Sequence, residues 1–260
     1  MINFNDVNKK NNLLGPNKFL GKILRFPLML IPKDLSLPVL QGPGRGLKWI
    51  VGSYSHGCWL GSYEYEKQEL LKEGLVQSGD VVYDIGAHVG YFTIIFSKLV
   101  GSHGQVYAFE PFDENIDFIN KHIAINSLAN VTPVKVGIGP KTEMAYFSDG
   151  AFTATGFRVS EGDMQFQVYN MEEYINKNNI RLPNLIKMDI EGEEINVIPS
   201  ILNFAYDHKV KLLISTHSNE ITASIASMLK DKGYKVSPHQ WSNIPNKPKL
   251  ENATLLLAVP

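Results

Sequence analysis

The segment Asp84-Ile-Gly-Ala-His-Val-Gly90 constrains this chain more than any other. It stands between the apolar run Val81-Val-Tyr-Asp84 and the helical stretch from Tyr91 to Val100, which Gly101 closes. A short apolar run of this kind reads as a buried strand, and a glycine just past a periodic stretch reads as a helix stop. Glycines between the two let the backbone turn tightly and come close to a ligand. The helix start then directs N–H groups and a partial positive charge at that ligand. In an open α/β sheet such a turn lies at the carboxyl end of a strand, where ligands bind.

The pattern repeats downstream. Gln105-Val-Tyr-Ala-Phe109 reads as a strand, and Asp113 is placed to cap a helix with Ile116, Ile119 and Ile123 on one face. Val131 to Val136 is a third strand, and Asn184 to Met188 a fourth, followed by a short helix that Pro199 ends or kinks. Lys211 to Ile214 is a fifth, an amphipathic helix carries Ile221, Ile225, Met228 and Leu229, and Thr254 to Ala258 is the last strand. Strands alternating with helices demand parallel pairing with right-handed crossovers. The expected fold is therefore α/β: a Rossmann-like, doubly wound, mostly parallel seven-stranded sheet. Residues 1–78 read as an N-terminal lobe, with 1–18 frayed, and 79–260 as the ligand-binding domain. That domain is interrupted at about 141–170 by a β-hairpin insertion built from Met144–Phe147 and Gln165–Tyr169, with a mobile loop from Gly150 to Gly162.

Bulk properties exclude several function classes. Apolar residues make up 44% and charged residues 20% of 260, as in an ordinary globular protein. Cys58 is the only cysteine, so neither an intramolecular disulfide nor a cysteine zinc cluster can form, and a reducing, cytoplasmic location is expected. Residues 1–50 carry eight Lys/Arg against two Asp/Glu, whereas the rest carry 17 against 24. A basic N-terminal lobe suits a solvated tail or contact with an anionic substrate or surface, but not the charge density of a nucleic-acid binder. The apolar stretch from Phe26 to Pro32 is too short to span a bilayer, so no transmembrane segment is expected.

The chemistry of the ligand follows from the loop. A dinucleotide fingerprint needs a middle glycine, and His88 stands there instead, which argues against a nucleotide-linked oxidoreductase. Asp-x-Gly-x-x-x-Gly fits a ligand with an amino acid end: Asp84 suits an ammonium and the glycine loop a carboxylate. Glu110, closing the second strand about 20 residues on, stands where an acid grips a ribose diol, and Phe112 is placed to face an adenine.

These residues resemble a known family. Tyr83-Asp-Ile-Gly-Ala-His-Val-Gly-Tyr-Phe-Thr93, Ala108-Phe-Glu-Pro-Phe112 and Ile186-Lys-Met-Asp-Ile-Glu-Gly-Glu-Glu194 are similar to the motifs of FkbM-type methyltransferases. The likeness runs over about residues 45–236 and includes Trp59-Leu-Gly-Ser-Tyr-Glu64. It implies S-adenosylmethionine as cofactor and a hydroxyl on a sugar or other small molecule as acceptor. Carried onto this sequence, it implies cofactor contacts from Tyr63, Glu64, Asp84, Gly86, Ala87, His88, Gly90, Tyr91, Phe92, Thr93, Glu110, Pro111, Phe112, Val136 and Gly137. Two departures stand out. The fifth strand ends Ile214-Ser-Thr-His217, where many members place an acid near Ser215. The loop after Val136 reads Gly137-Ile-Gly139, where an alanine-led turn is commoner.

A hydroxyl is a poor nucleophile at neutral pH, so a base or metal should sit at the carboxyl ends of the central strands. His217 is the first choice of base and Asp189 the second, with Glu191 beside it across Gly192. Lys187 on a buried strand needs a partner, and Asp189 or Glu191 is at hand. Trp59 is a candidate for the acceptor pocket, although an aromatic at such spacing is usually core. A divalent metal wants more oxygen ligands than these acids supply, so none is expected. A non-catalytic S-adenosylmethionine-binding protein would keep the cofactor motifs and need no base.

Overall fold

The computed structural model describes residues 32–147, 158–159, 164–240 and 254–260. The terminus 1–18, the apolar stretch up to Ile31 and most of the 150–162 loop lie outside them.

A seven-stranded sheet forms the centre. In chain order its strands are β3 (Val81–Ile85), β4 (Gln105–Phe109), β5 (Val131–Val134), β10 (Leu185–Met188), β11 (Lys211–Thr216), β12 (Lys235–Gln240) and β13 (Thr254–Val259). Their spatial order is β12-β13-β11-β10-β3-β4-β5. β5, β4, β3, β10 and β11 run parallel, whereas β13 is antiparallel to both β11 and β12. β3 lies inside the sheet between β10 and β4, and all five of its residues are buried. That explains its unbroken apolar reading, because a strand covered on both faces needs no polar side.

Two helical layers cover the sheet. One face packs against α5 (Met171–Asn178), α6 (Glu194–Asp207) and α7 (Asn219–Lys232), with Tyr83, Ile186, Ile214, Val197, Ile198 and Ile225 in one core. The other packs against α3 (Tyr91–Val100) and the chain ahead of β3. There the two-stranded ribbon β1 (Ser36–Pro38) and β2 (Lys48–Ile50), then α1 (His56–Leu60) and α2 (Tyr65–Lys72), bring Trp49, Leu70 and Leu71 onto Val82, Ile94 and Leu213. α4 (Asp113–Asn126) docks on the glycine loop: Ile119 packs with Ala87 and Ala108. Trp49 stacks on the α4 residue His122 at 4.0 Å. His122 Nε2 accepts from Ile50 N–H at 3.2 Å, and Nδ1 lies 2.9 Å from Val89 O. Burial pushes this imidazole down to about 4, so it is neutral and serves packing.

Three details differ from the sequence reading. Pro199 neither ends nor bounds α6, which runs through it. Pro199 is the sixth helical residue, and the helix continues beyond it to Asp207. Asp113 is the first residue of α4, and Phe112 holds the cap position without a side-chain bond. The insertion is more than a hairpin: β6 (Gly137–Ile138), β7 (Glu143–Phe147), β8 (Arg158–Val159) and β9 (Met164–Tyr169) form a four-stranded sheet ordered β6-β9-β7-β8. The expected pair is there as antiparallel β7 and β9, with Ala145 opposite Phe166, but the sheet opens at Gly137, directly after the chain leaves β5.

Candidate active site

The glycine loop turns at the carboxyl end of β3. Gly86 has φ +71°, and a Cβ there would sit 2.0 Å from the carbonyl oxygen of Asp189. The loop therefore touches the end of β10 backbone to backbone, which only glycine permits. Gly90, at φ +87°, would place a Cβ 3.0 Å from Ile119, so it serves the contact with α4. The N–H groups of Gly86 and Ala87 donate to Phe109 O, and that of His88 donates to Glu110 Oε2 at 2.9 Å.

Asp84 is fully buried. Thr93 Oγ1 donates to its Oδ2 at 2.6 Å, and Lys187 Nζ lies 3.0 Å from its Oδ1. Asp84 thus holds the ammonium of Lys187. The pairing follows from register, since Lys187 lies directly opposite Asp84 in the parallel ladder. Lys187 also donates to Gly86 O at 2.7 Å. Its partner is thus Asp84 and the loop, not Asp189 or Glu191 as the sequence suggested. Together Thr93, Asp84 and Lys187 brace the glycine loop from beneath.

Glu110 directly follows β4 and is 4% exposed. Its Oε1 accepts from Phe112 N–H at 3.1 Å and Asn115 Nδ2 at 3.0 Å. Burial raises its pKa, while these bonds and that from His88 pull the other way. A carboxylate offers about four acceptor positions, and three donors leave room for a ligand hydroxyl. Pro111, Phe112, Val136 and Gly137 are half-buried around it. His88, at φ +51°, sits edge-on to Tyr54 at 4.6 Å, and burial pushes its imidazole down to about 4, leaving it neutral. Ala87, Tyr91 and Phe92 are buried supports, and Tyr63 packs edge-on against Tyr54 and Tyr91. Trp59 is half-buried and packs against the core cluster that holds Trp49 and Ile94.

The second half of the site forms where β10 and β11 end. His217 Nε2 lies 3.4 Å from Asp189 Oδ1 and 3.3 Å from Glu191 Oε2, and its Nδ1 lies 3.5 Å from Glu194 Oε1. Glu194 is fully buried. It is fixed by the N–H groups of Ile190 at 2.8 Å and Gly192 at 2.9 Å, so the turn after β10 wraps around its carboxylate. Burial alone would lower the His217 pKa, but Glu194, Asp189 and Glu191 push it up to about 9. Burial, with Asp189 and Glu194 nearby, pushes Glu191 up to about 7, against the pull of His217 and Lys67. Asp189 moves the opposite way: despite burial, Lys67, Lys187 and His217 hold its carboxyl well below the usual range. Asp189, Glu191 and His217 each offer one ligand atom, all within 4.8 Å of one another, a spacing at which a cation can be shared.

Sequence reasoning found His217, Asp189 and Glu191, and the structure brings them together. It missed Lys67, Glu194 and Tyr54. Lys67 comes from α2, ahead of the sheet. Its side chain is 1% exposed, with Nζ 2.5 Å from Glu64 Oε2, 2.6 Å from Asp189 Oδ2 and 5.2 Å from the centre of the Phe92 ring. A signal was present, because Lys67 falls three and four residues before Leu70 and Leu71 and so shares their buried face. A lysine in an apolar stripe requires a partner. Tyr54 sits edge-on to His88 in the glycine loop, and burial raises its pKa, with Glu64 and Glu191 adding to the effect.

Residues 84–236 match the model of the methyltransferase FkbM domain, more than half of the chain. The hexuronic acid methyltransferase AglP of Haloferax volcanii is 27% identical over 136 residues, which cover 52% of this chain and 54% of that protein. The chain thus spans about half the length of this curated relative. A crystal structure of methyltransferase FkbM from Methylobacillus flagellatus superposes with a TM-score of 0.50 at 21% identity. The superposition covers 72% of this chain and 46% of that one, a likeness of fold. The matched region begins at Asp84 in the glycine loop and takes in every strand-end acid described above, and this chain belongs to the FkbM methyltransferase family.

Proposed function

We propose that this protein is an S-adenosylmethionine-dependent O-methyltransferase acting on a hydroxyl of a sugar or related small molecule. The observation that carries the reading is the convergence of His217, Asp189 and Glu191 beside the glycine loop, with Gly86 against Asp189 O.

The residues present fit the cofactor. Glu110 retains acceptor capacity for a ribose hydroxyl, Phe112 offers an apolar ring beside it, and the braced loop shapes the amino acid end. Asp189, Glu191, Glu194 and Glu64 outnumber the cations Lys67 and His217 in one cluster, which favours a positively charged ligand centre. S-adenosylmethionine supplies a methyl group already activated on a sulfonium. The chain's part is orientation, worth on the order of 7–11 kcal/mol when geometry is ideal, and removal of the acceptor proton.

His217 takes that proton in its neutral form. Three carboxylates around it stabilise the imidazolium that results, so a raised pKa makes it a strong acceptor. Glu191 adjoins it at 3.3 Å, and Asp189 orients it. A neighbouring sulfonium, being cationic, lowers the His217 pKa from about 9 toward working pH.

A hexuronic acid acceptor, as in the name of the Haloferax volcanii relative, offers both a carboxylate and hydroxyls. The acid-rich cluster repels a carboxylate at the transfer point, and an ionised carboxylate needs no base. Both considerations favour a hydroxyl. No divalent ion is assigned, since the Lys67 ammonium already neutralises Asp189. We assign a cytoplasmic location, which suits the buried, unpaired Cys58 thiol. Among the described residues no helix is long and apolar enough to cross a membrane.

The test is transfer of labelled methyl from S-adenosylmethionine to a panel of hexoses, hexuronic acids and their glycosides, with product mapping. Label on a hydroxyl oxygen supports the reading; label on a carboxylate, or transfer undiminished in His217→Gln, contradicts it.

A further inference from the structure

Asp189 is engaged through its backbone and its side chain alike. Its N–H donates to Ile85 O at 3.1 Å, and its carbonyl oxygen lies against Gly86, where a Cβ would come within 2.0 Å. Its two carboxylate oxygens face different elements. Oδ2 accepts from the Lys67 ammonium at 2.6 Å, and Oδ1 lies 3.4 Å from His217 Nε2. With the backbone fixed, only the side-chain torsions remain, and these two partners set them.

Lys67 is itself tightly held. Its side chain is 1% exposed, and its second acceptor is Glu64 Oε2 at 2.5 Å. Glu64 stands at the cap position of α2 in the left-handed region, φ +45°, and makes no cap bond. A non-glycine residue gives up free energy there, and such strain collects at functional sites. The Glu64 carboxylate goes to Lys67 instead of the helix end. The core has no need of this charge, since an apolar side chain of similar volume often serves as well. The ammonium therefore points to a task beyond packing.

We propose that Lys67 is a positioning residue of the methyl-transfer site: it holds one oxygen of Asp189 so that the other meets His217, and so brings α2 into the proton-accepting machinery. This inference rests on the assignment of His217 as the base. The charged groups facing His217 are Glu194 from α6 and Asp189 and Glu191 from the turn after β10. Behind Asp189 stand Lys67 and Glu64 from α2 and Lys187 from β10. Lys67 offsets part of this negative charge. Without it the carboxylates hold the imidazolium more tightly, and His217 is less often in the neutral form that takes the acceptor proton.

The experiment is an NMR pH titration of the full chain with isotope-labelled histidine, in wild type, Lys67→Met and Lys67→Arg. The His217 signal is identified by its loss in His217→Gln. The expected result is a His217 midpoint raised by about one unit in Lys67→Met and kept within about a third of a unit in Lys67→Arg. Methyl transfer at neutral pH should then show kcat about tenfold lower in Lys67→Met, recovering at alkaline pH, with KM for S-adenosylmethionine within about threefold. A lysine that served packing alone would change the melting midpoint and leave the His217 titration in place. An unmoved or lowered His217 midpoint in Lys67→Met thus overturns the inference, as does an equal rise in Lys67→Arg, which keeps the charge. If Lys67→Met fails to fold, the double variant Lys67→Met, Glu64→Gln, which loses one charge of each sign, is compared with Glu64→Gln on the same criterion. Methyl transfer undiminished in His217→Gln removes the base and this inference with it; a titration indifferent to residue 67 overturns this inference alone.

Discussion

The Lys67 ammonium lies 2.6 Å from Asp189 Oδ2, joining the helix ahead of the sheet to the end of a central strand 122 residues away. Burial works to strip its proton, yet Asp189 and Glu64 together raise its pKa above the usual lysine value. Removing one partner of such a pair strands a charge and costs about 3–5 kcal/mol, whereas replacing all partners by apolar or neutral groups is often nearly neutral. Lys67→Met is therefore expected to lower the thermal midpoint sharply, and the triple variant Lys67→Met, Glu64→Gln, Asp189→Asn to recover much of the loss. Calorimetric melting of the series checks this. A single variant as stable as wild type would mean that the pair contributes little.

The His217 imidazole adds a pH dependence to stability. Its folded pKa, about 9, is raised above the ordinary 6.5 by Glu194, Asp189 and Glu191 against burial. The stabilisation from protonated His217 is thus fully present below about pH 6.5 and is lost as pH rises through about 9. The thermal midpoint of wild type should fall across that window, and that of His217→Gln should fall less. Equal slopes for the two proteins would contradict the placement of His217 among three carboxylates.

Gly86 has room for no side chain. A Cβ would meet Asp189 O at 2.0 Å, at a φ of +71° that L-residues rarely adopt. Gly86→Ala should cost several kcal/mol of stability or abolish cofactor binding outright. Urea unfolding and calorimetry read the two effects separately. Gly90→Ala meets only Ile119 at 3.0 Å and should be milder.

Chelation tests the charge balance at Asp189. With Lys67 in place as its cation, methyl transfer should be unchanged by EDTA and by added Mg²⁺ or Mn²⁺. Activity lost to EDTA and restored by one of those ions would show that Asp189, Glu191 and His217, whose ligand atoms lie within 4.8 Å, hold a metal.

The parts of this structure that were legible in the sequence are those written locally. β3, the glycine loop and α3 follow from an apolar run, spaced glycines and a capped helix within about twenty residues; β4, β5, β10, β11 and β13 follow the same rule, whereas β12 (Lys235–Gln240) was not read. His217 and the acids after β10 were found because a strand end is a local feature. The parts that were hidden depend on pairing. Lys187 meets Asp84 rather than Asp189 because the two face each other in one register of the parallel ladder, and no local pattern states a register. Lys67 reads as an ordinary helix lysine until its face is seen to be buried. Pro199 reads as a stop or a kink because its cost is local, whereas α6 runs on through it to Asp207.

Calorimetric binding of S-adenosylmethionine to wild type and to Glu110→Ala tests the central claim most directly. Glu110 is buried at the end of β4 and, through its Oε1 and Oε2 atoms, fixes Phe112, Asn115 and His88. The account predicts saturable one-to-one binding to wild type, weakened tenfold or more in Glu110→Ala, about 1.4 kcal/mol. No binding to wild type at millimolar ligand, or equal binding by the two proteins, would contradict it.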